Sequence, residues 1–450
     1  MATIRFNDAL RIAARAARST DLPVEWPVRI IRDVYGRIRF ALNCEAAQYP
    51  EAARQQLEAT QKSLGGFATS ANVLFRDDFS NPDAIFDSAD WHGTTVSTAI
   101  DEDGAIAPEA TVPVLDRQIT GQDWLNTSMS DAPHPHRLVF YGLKGGVGRS
   151  TALAMVAYGL ARQGKRVLLV DFDLESPGLS GLLLPPERVA EFGLVDWFVE
   201  DAVNQGDAVL RSMVSLSPLA DTTTGAIRVA AAMGQTETAY LAKLARAIAD
   251  IPSPKGPQRF ASRMRRIVEL LEGQEKPDVV LIDSRAGLHD LAAVSITSLA
   301  DTALLFATDS TQNWLGYRQL FMHWQHRPEV CSRVRERLAM VRALAPLSSR
   351  EGRVRSFQEH AYELFAGTLY DEIEPSHEVG TTTVNSAPEP FNPAMEDESA
   401  PHFPILVDWD DRFQEFDPNV RPEQGGVRDA QIDATFGALI DWAMARIAGA

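Results

Sequence analysis

The sequence predicts an α/β protein: a mostly parallel, doubly wound sheet preceded by a smaller α+β domain. Three observations predict it. From His136 onward, short apolar runs alternate with helix-like segments, the pattern of parallel strands joined by crossover helices. A Gly-rich turn, Gly145-Gly146-Val147-Gly148, stands between one such strand and one such helix. Two later apolar runs end in carboxylates, at Asp171 and Asp283, where open α/β sheets bind ligands.

Residues 1–132 read as a separate accessory domain. A helix over 6–18 leads to two apolar runs, Val28–Val34 and Arg37–Leu42, around Tyr35-Gly36, which suggests a hairpin. A helix over 47–63 and a strand over 71–75 follow. Residues 76–108 are polar, Asp-rich and weakly periodic and read as loop, and Val112–Arg117 reads as a short strand. Ser128 to Pro135 has linker composition. The core domain is expected over 133–370, with strands at 137–142, 166–171, 226–231, 278–283, 302–307 and 338–343. Residues 371–402, rich in Glu, Pro, Ser and Thr, read as a flexible acidic insertion. Residues 403–450 complete the core with a strand near 403–409 and a helix over 427–447. That helix gathers Ile432, Phe436, Leu439, Ile440, Ala443 and Ile447 on one face.

Composition narrows the function classes. The chain has 450 residues, 45% of them apolar and 23% charged, which is ordinary for a globular protein. Its net charge of −18 argues against broad binding to nucleic acid or anionic membrane. Two cysteines, Cys44 and Cys331, lie far apart and suggest neither a disulfide framework nor a metal spacing, so a cytoplasmic location is expected. The N-terminal stretch lacks the apolar core and cleavage site of a signal peptide, and no apolar run approaches the length that spans a bilayer.

The chemistry concentrates in three motifs. In LKGGVGRST, residues 143–151, the glycines keep side chains away, so backbone N–H groups of Gly145, Gly146, Val147 and Gly148 can face phosphate oxygens at a helix N-terminus. Ser150 stands where a hydroxyl completes Mg²⁺ coordination, and Thr151 where one reaches an α-phosphate. Arg149 occupies the position of the usual phosphate-binding lysine, keeping the charge but adding a planar fork. In VDFDLESPG, Asp171 and Asp173 lie at a strand end, one to position the attacking water and the other to support the Mg²⁺ shell. In VVLIDSRAG, Asp283 closes an apolar strand as a Walker-B carboxylate does, and Gly287 lets the backbone approach a γ-phosphate. Arg285 reads either as a charge stabiliser or as a salt-bridge residue, and Glu175 has no fixed role. Gln312 and Asn313 stand where they could reach a nucleotide, although loop polarity explains them as well. Trp197, Trp314 and Trp324 read as core or interface residues, and His134, His136, His323 and His326 show no metal spacing.

Together these motifs resemble the deviant Walker-A ATPases of the ParA/MinD (SIMIBI) class, in particular a bacterial branch whose loop reads KGGVGR. The resemblance covers roughly 136–345. It implies ATP and Mg²⁺ as cofactors and a homodimer formed through ATP. Lys144 would be the signature lysine reaching the partner's phosphates, Asp173 the water-positioning carboxylate, Asp283 the Walker-B residue, and Ser150 and Asp171 the rest of the metal set. It further implies hydrolysis that switches a protein partner engaged by the N-terminal domain, and leaves the setting open between bacterial anti-phage defence and signalling. Two other readings stand beside it: a nucleotide-binding scaffold with little turnover, and a P-loop kinase. With only eight Tyr, no Tyr-rich tail supports an autokinase. Three positions depart from the family pattern. Arg149 replaces lysine, Leu143 replaces the first loop glycine, and Arg342-Ala343-Leu344-Ala345-Pro346 stands where an adenine-reading Asn is expected.

Overall fold

In the computed structural model, residues 4–68, 72–88, 90–96, 110–118, 120–127, 132–235, 239–253, 257–325, 327–373, 390–414, 416–417, 420 and 426–449 are described. The chain divides into two compact units, Met1–Thr120 and Gly121–Ala450.

The first unit is a four-stranded sheet in the order β2-β1-β4-β3, formed by β1 Arg29–Arg32, β2 Ile38–Ala41, β3 His92–Val96 and β4 Ala110–Asp116. The expected hairpin is present: β1 and β2 pair antiparallel, and Gly36 turns the chain at φ +79°. Helices Phe6–Ala17 and Glu51–Ser63 bury Ala9, Ala13 and Leu57 with Ile30, Phe40, Val112 and Val114. Two expectations change. The strand expected over 71–75 is reduced, among the described residues, to one bridge between Leu74 and Ala41. The stretch 76–108, read as loop, supplies β3, which pairs antiparallel with β4. Gly93 permits that pairing, because a Cβ there would stand 2.6 Å from the Thr111 methyl. The weak apolar alternation of His92–Val96 hid it. Residue 89 and residues 97–108 of that stretch lie outside the described residues.

Among the described residues the second unit holds eight strands: β5 His136–Gly142, β6 Arg166–Asp171, β7 Val214–Leu216, β8 Ala226–Ala230, β9 Val279–Asp283, β10 Thr302–Ala307, β11 Leu338–Ala345 and β12 Ile405–Asp408. Their order is β12-β11-β10-β5-β9-β6-β8-β7, and every pair is parallel except β7 with β8. After β9 the chain crosses over β5 to continue on its other side. The carboxyl ends of β5, β9 and β10 therefore frame a switch point, where such sheets leave a crevice. Strands β9 and β10 are buried throughout, as central parallel strands covered on both faces must be.

One face carries the helix Arg149–Arg162, made of small and apolar residues, and the C-terminal helix Asp429–Ala448 packed across it. Gly159 makes that crossing possible, because a Cβ there would come within 2.6 Å of the Ile440 side chain. Tyr158 donates to Asp429 at 2.8 Å and Arg162 to Asp433 at 2.8 Å, flanking the apolar contact. The other face buries Trp197, Phe198, Trp324 and Phe321. At the start of β5, Arg137 makes a buried two-pronged pair with Glu272, both contacts 2.7 Å.

The division at Thr120 precedes the boundary expected at 132. The turn Gln122–Leu125 belongs to the second unit, where Trp124 packs on Tyr141 and Trp324 and its carbonyl accepts the Trp324 indole N–H at 2.9 Å. The expected linker residues 128–131 lie outside the described residues, as do 374–389 of the expected acidic insertion. The flanks of that insertion are packed. Asp371 accepts the Phe391 N–H at 2.8 Å, and buried His402 meets the Tyr370 hydroxyl at 2.6 Å.

Candidate functional site

The site begins where β5 ends. From Gly142 the chain turns into the helix Arg149–Arg162, and Gly146 and Gly148 take left-handed φ of +76° and +74°. A side chain at those angles costs roughly 1–2 kcal/mol, so glycine fits. A glycine that sequence reasoning passed over matters as well. A Cβ on Gly142 would stand 3.3 Å from both the Lys144 carbonyl oxygen and the Val147 side chain, so the missing first glycine of the motif is replaced one position earlier. Leu143 itself packs onto Gly316, where a Cβ would lie 2.8 Å from its Cδ1. The spacing of the motif gave no signal for either contact, because Gly316 lies on a distant helix, Thr311–Gln325.

The turn forms one wall of a cleft of about 340 Å³, from Lys144 to Thr151; the other wall is Asp173, Ser176, Arg285 and Ala286. Of the lining residues, Arg149 and Ser150 converge on Asp283, which is buried behind the lining, and Arg149 also reaches Asp173. Ser150 Oγ donates to Asp283 Oδ2 at 2.7 Å. Arg149 reaches two carboxylates: its Nη2 donates to Asp173 Oδ2 at 3.0 Å, and its Nε lies 2.6 Å from Asp283 Oδ1 without hydrogen-bond alignment. Burial alone would lower the pKa of Arg149, but Asp283 and Asp173 outweigh it and the pKa is raised, so this buried cation stays charged.

The acidic groups divide into two layers. Strand β6 stops at Asp171, so Asp173 sits on the following loop and faces the cleft, whereas Asp171 is wholly buried behind it. Asp171 and Asp283 stand opposite each other on neighbouring strands. The oxygens of Asp171 accept the N–H groups of Asp173 at 3.1 Å and Leu179 at 3.2 Å. Burial, then the charge of Asp283, pushes the Asp171 carboxyl up to about 8 despite those bonds. Burial also raises Asp283 above the ordinary carboxylate range, against the opposing pull of Arg149 and Ser150.

Lys144 is exposed at the cleft mouth and has no ion pair among the described residues. Arg285 donates Nη1 to Asp173 Oδ1 at 3.4 Å and pairs Nη2 with Glu175 at 2.6 Å; His289 approaches Glu175 at 3.4 Å. The loop bearing Arg285 is stapled on both sides, by Ser284 N–H to the Phe140 carbonyl at 3.1 Å and Gly287 N–H to the Gly142 carbonyl at 3.2 Å. Gly287 takes φ +82°, and its carbonyl accepts the Tyr141 hydroxyl at 3.1 Å. Asn313 is turned away from the cleft, its amide donating to the Thr308 carbonyl at 3.1 Å and hydroxyl at 2.8 Å, while Gln312 is exposed. Trp197 and Trp324 lie in the core, and Trp314 packs on Phe357 and His360. His326 lies outside the described residues. Among the described residues no three His, Cys, Asp or Glu side chains gather as a metal site, and no helix is long and apolar enough to cross a membrane. The donor set at the floor suits Mg²⁺, which takes few protein ligands and completes its shell with water and phosphate oxygens.

A glycine turn between a parallel strand and a helix, faced by a strand-end carboxylate bonded to the helix's first-turn serine, defines a P-loop nucleotide-binding fold. Residues 136–242 match the family model described as AAA domain. A stretch of 67 residues is 40% identical to the septum site-determining protein MinD of Escherichia coli, and equally to that of Shigella flexneri, covering 15% of this chain and 22% of those proteins. The matched stretch thus spans under a quarter of the length of its relatives. A ParA family ATPase from Chlorobium tepidum aligns over 69% of this chain and 98% of its own, with 14% identity and a TM-score of 0.40. Cobyrinic acid a,c-diamide synthase from Mycobacterium smegmatis, solved with bound ADP and magnesium, aligns over 50% and 81%, with 20% identity and a TM-score of 0.36. The P-loop unit of this chain is ParA/MinD-like.

Proposed function

We propose that this chain is a deviant Walker-A ATPase that binds Mg-ATP in the cleft, pairs with a second copy across it, and hydrolyses ATP to switch a protein partner. The carrying observation is that Ser150, Arg149 and Asp173 line one glycine-walled cleft and that Ser150 and Arg149 meet at buried Asp283 behind it, with Ser150 and Asp283 only 2.7 Å apart. Backbone N–H groups from Gly145 to Gly148 cradle phosphate, and Arg149 supplies a fork that matches phosphate oxygens. Ser150 and Asp283, with Asp171 behind them, hold Mg²⁺, which would neutralise charge building on the phosphates. Asp173 orients the attacking water, and Lys144, exposed at the mouth, is free to reach a partner's phosphates. Residues 121–370 with 403–450 form the ATPase core, 371–402 an insertion, and the domain over 1–120 receives the partner, in bacterial anti-phage defence or signalling.

Phosphate release by wild type, Lys144→Ala and Asp173→Ala tests the enzyme reading. Wild type is expected to exceed Asp173→Ala by about a hundredfold or more, the scale of a positioned acid–base group. Equal release by the two, with ATP still bound, sinks it. Light scattering should show a dimer that needs both ATP and Lys144. A scaffold with little turnover is the second reading, favoured by one observation: both oxygens of Asp173 are already engaged by arginines.

A further inference from the structure

We propose that Arg285 reads the terminal phosphate, and that its pairing with Asp173 and Glu175 is the parked position from which a third phosphate draws it. The inference rests on the nucleotide reading above and assigns a regulatory role to a residue that the P-loop motif does not contain.

Asp173 is held between two arginines. Its Oδ2 accepts from Arg149 at 3.0 Å and its Oδ1 from Arg285 at 3.4 Å, so a guanidinium occupies each oxygen. A carboxylate held that way keeps lone pairs, but two guanidinium charges weaken it as an acceptor for water and crowd both of its oxygens. Withdrawal of one arginine restores it, and the two are not alike. The Arg149 side chain is 10% exposed and is anchored on Asp283 as well. The Arg285 side chain is 23% exposed, its bond to Asp173 is the longer, and its other partner Glu175 lies toward solvent with 35% exposure. Ion pairs of the second kind are weak and readily exchanged.

Position supplies the rest. The glycine turn encloses the inner phosphates of a nucleotide, so the chain's outer end extends toward the opposite wall, which is Asp173, Ser176, Arg285 and Ala286. Arg285 is the cation on that wall. Its backbone cannot drift, because the bonds from Ser284 to Phe140 and from Gly287 to Gly142 fix the loop on either side. Its Nε is buried without a hydrogen-bond partner, so one donor of the fork is unused in the parked position. A phosphate offers the planar fork a bidentate acceptor, and departure of Arg285 frees Asp173 Oδ1. Arg285 thereby couples the presence of a third phosphate to release of the water-orienting carboxylate, and ADP, lacking that phosphate, leaves it parked.

Binding of fluorescent ATP and ADP analogues with Mg²⁺ to the full chain tests this without relying on turnover. Arg285→Ala is expected to weaken ATP binding about tenfold and ADP binding less than twofold. Arg285→Lys, which keeps charge but loses the fork, should fall between wild type and Arg285→Ala for ATP alone. Glu175→Gln, which weakens the parking partner, should tighten ATP binding a few-fold with ADP unchanged. Equal weakening of both nucleotides by Arg285→Ala, or no weakening of either, overturns the proposal, as does weaker ATP binding in Glu175→Gln. A wild type that holds neither nucleotide overturns the nucleotide reading and this inference with it. A wild type that holds both, with Arg285→Ala unchanged, overturns this inference alone.

Discussion

Two neighbouring regions at the carboxyl edge of the large sheet use similar residues to opposite ends. Beyond β5, β6 and β9, Arg149, Asp173, Asp283 and Arg285 meet across a cleft, each held by residues from a different loop. Beyond β10 and β11, Asp309 accepts from the Trp314 indole at 2.8 Å, the Ser356 hydroxyl at 3.0 Å and His360 at 3.0 Å, and Arg342 donates to the carbonyl of its neighbour Ala343. The second region saturates its carboxylate, Asp309, with donors from around it. The first pairs its charges too, Arg149 with Asp173 and Asp283 and Arg285 with Asp173, but its glycine turn and exposed Lys144 still line open space. Position at a strand end therefore does not make a site; backbone that keeps a space open beside the charges does.

The contrast is broken most severely by Asp283→Ala. It strands buried Arg149 beside Asp173 alone, and a loss of roughly 3–5 kcal/mol is expected in denaturant melts, together with Mg²⁺-dependent nucleotide binding. A loss below about 1 kcal/mol would mean that Arg149 is not held as described. Gly148→Ala comes next: its φ of +74° resists any side chain, while the new Cβ would only touch Leu344 at 3.4 Å. About 1–2 kcal/mol should be lost by backbone strain, and nucleotide affinity should fall with it, as calorimetry would report. The smallest effect belongs to the other region. Asp309→Asn should cost ~1 kcal/mol, discounted for solvent screening, and leave nucleotide affinity within about twofold of wild type. Burial opposes the ionised form of Asp309, yet the bonds from Trp314, Ser356 and His360 prevail and hold its pKa below the usual carboxylate value. Its stabilisation is therefore present above pH 3.8, the unfolded value, and lost as pH falls through the lower folded value. The melting temperatures of wild type and Asp309→Asn should differ at neutral pH and converge in acid.

The sequence made some of this legible and not the rest. Strands 166–171 and 302–307 were readable to the residue because buried parallel strands are continuous apolar runs bounded by turns. The C-terminal helix showed its face through Ile432, Phe436, Leu439 and Ile440, all of which the structure buries. Strand β3 was hidden because its pairing depends on Gly93 and a partner eighteen positions away, not on its own periodicity. At the cleft, motif spacing placed Lys144, Arg149, Ser150, Asp173 and Asp283 around one space. It did not show that Arg149 turns inward onto acids, or that Asp171 lies a layer behind Asp173. Those depend on which side chain fills which gap, and residues more than a hundred positions apart decide it.

The contact between Gly159 and Ile440 ties the helix that starts at the glycine turn to a segment some 280 residues later. In a chain synthesised from its N-terminus, every residue that lines the cleft has emerged long before the helix Asp429–Ala448 arrives to cover that helix's outer side. Until then Gly159 lacks the Ile440 side chain against it, and Tyr158 and Arg162 lack Asp429 and Asp433. Packing of the helix that carries the glycine turn is thus finished only once residues 429–448 have been made, long after all three motifs.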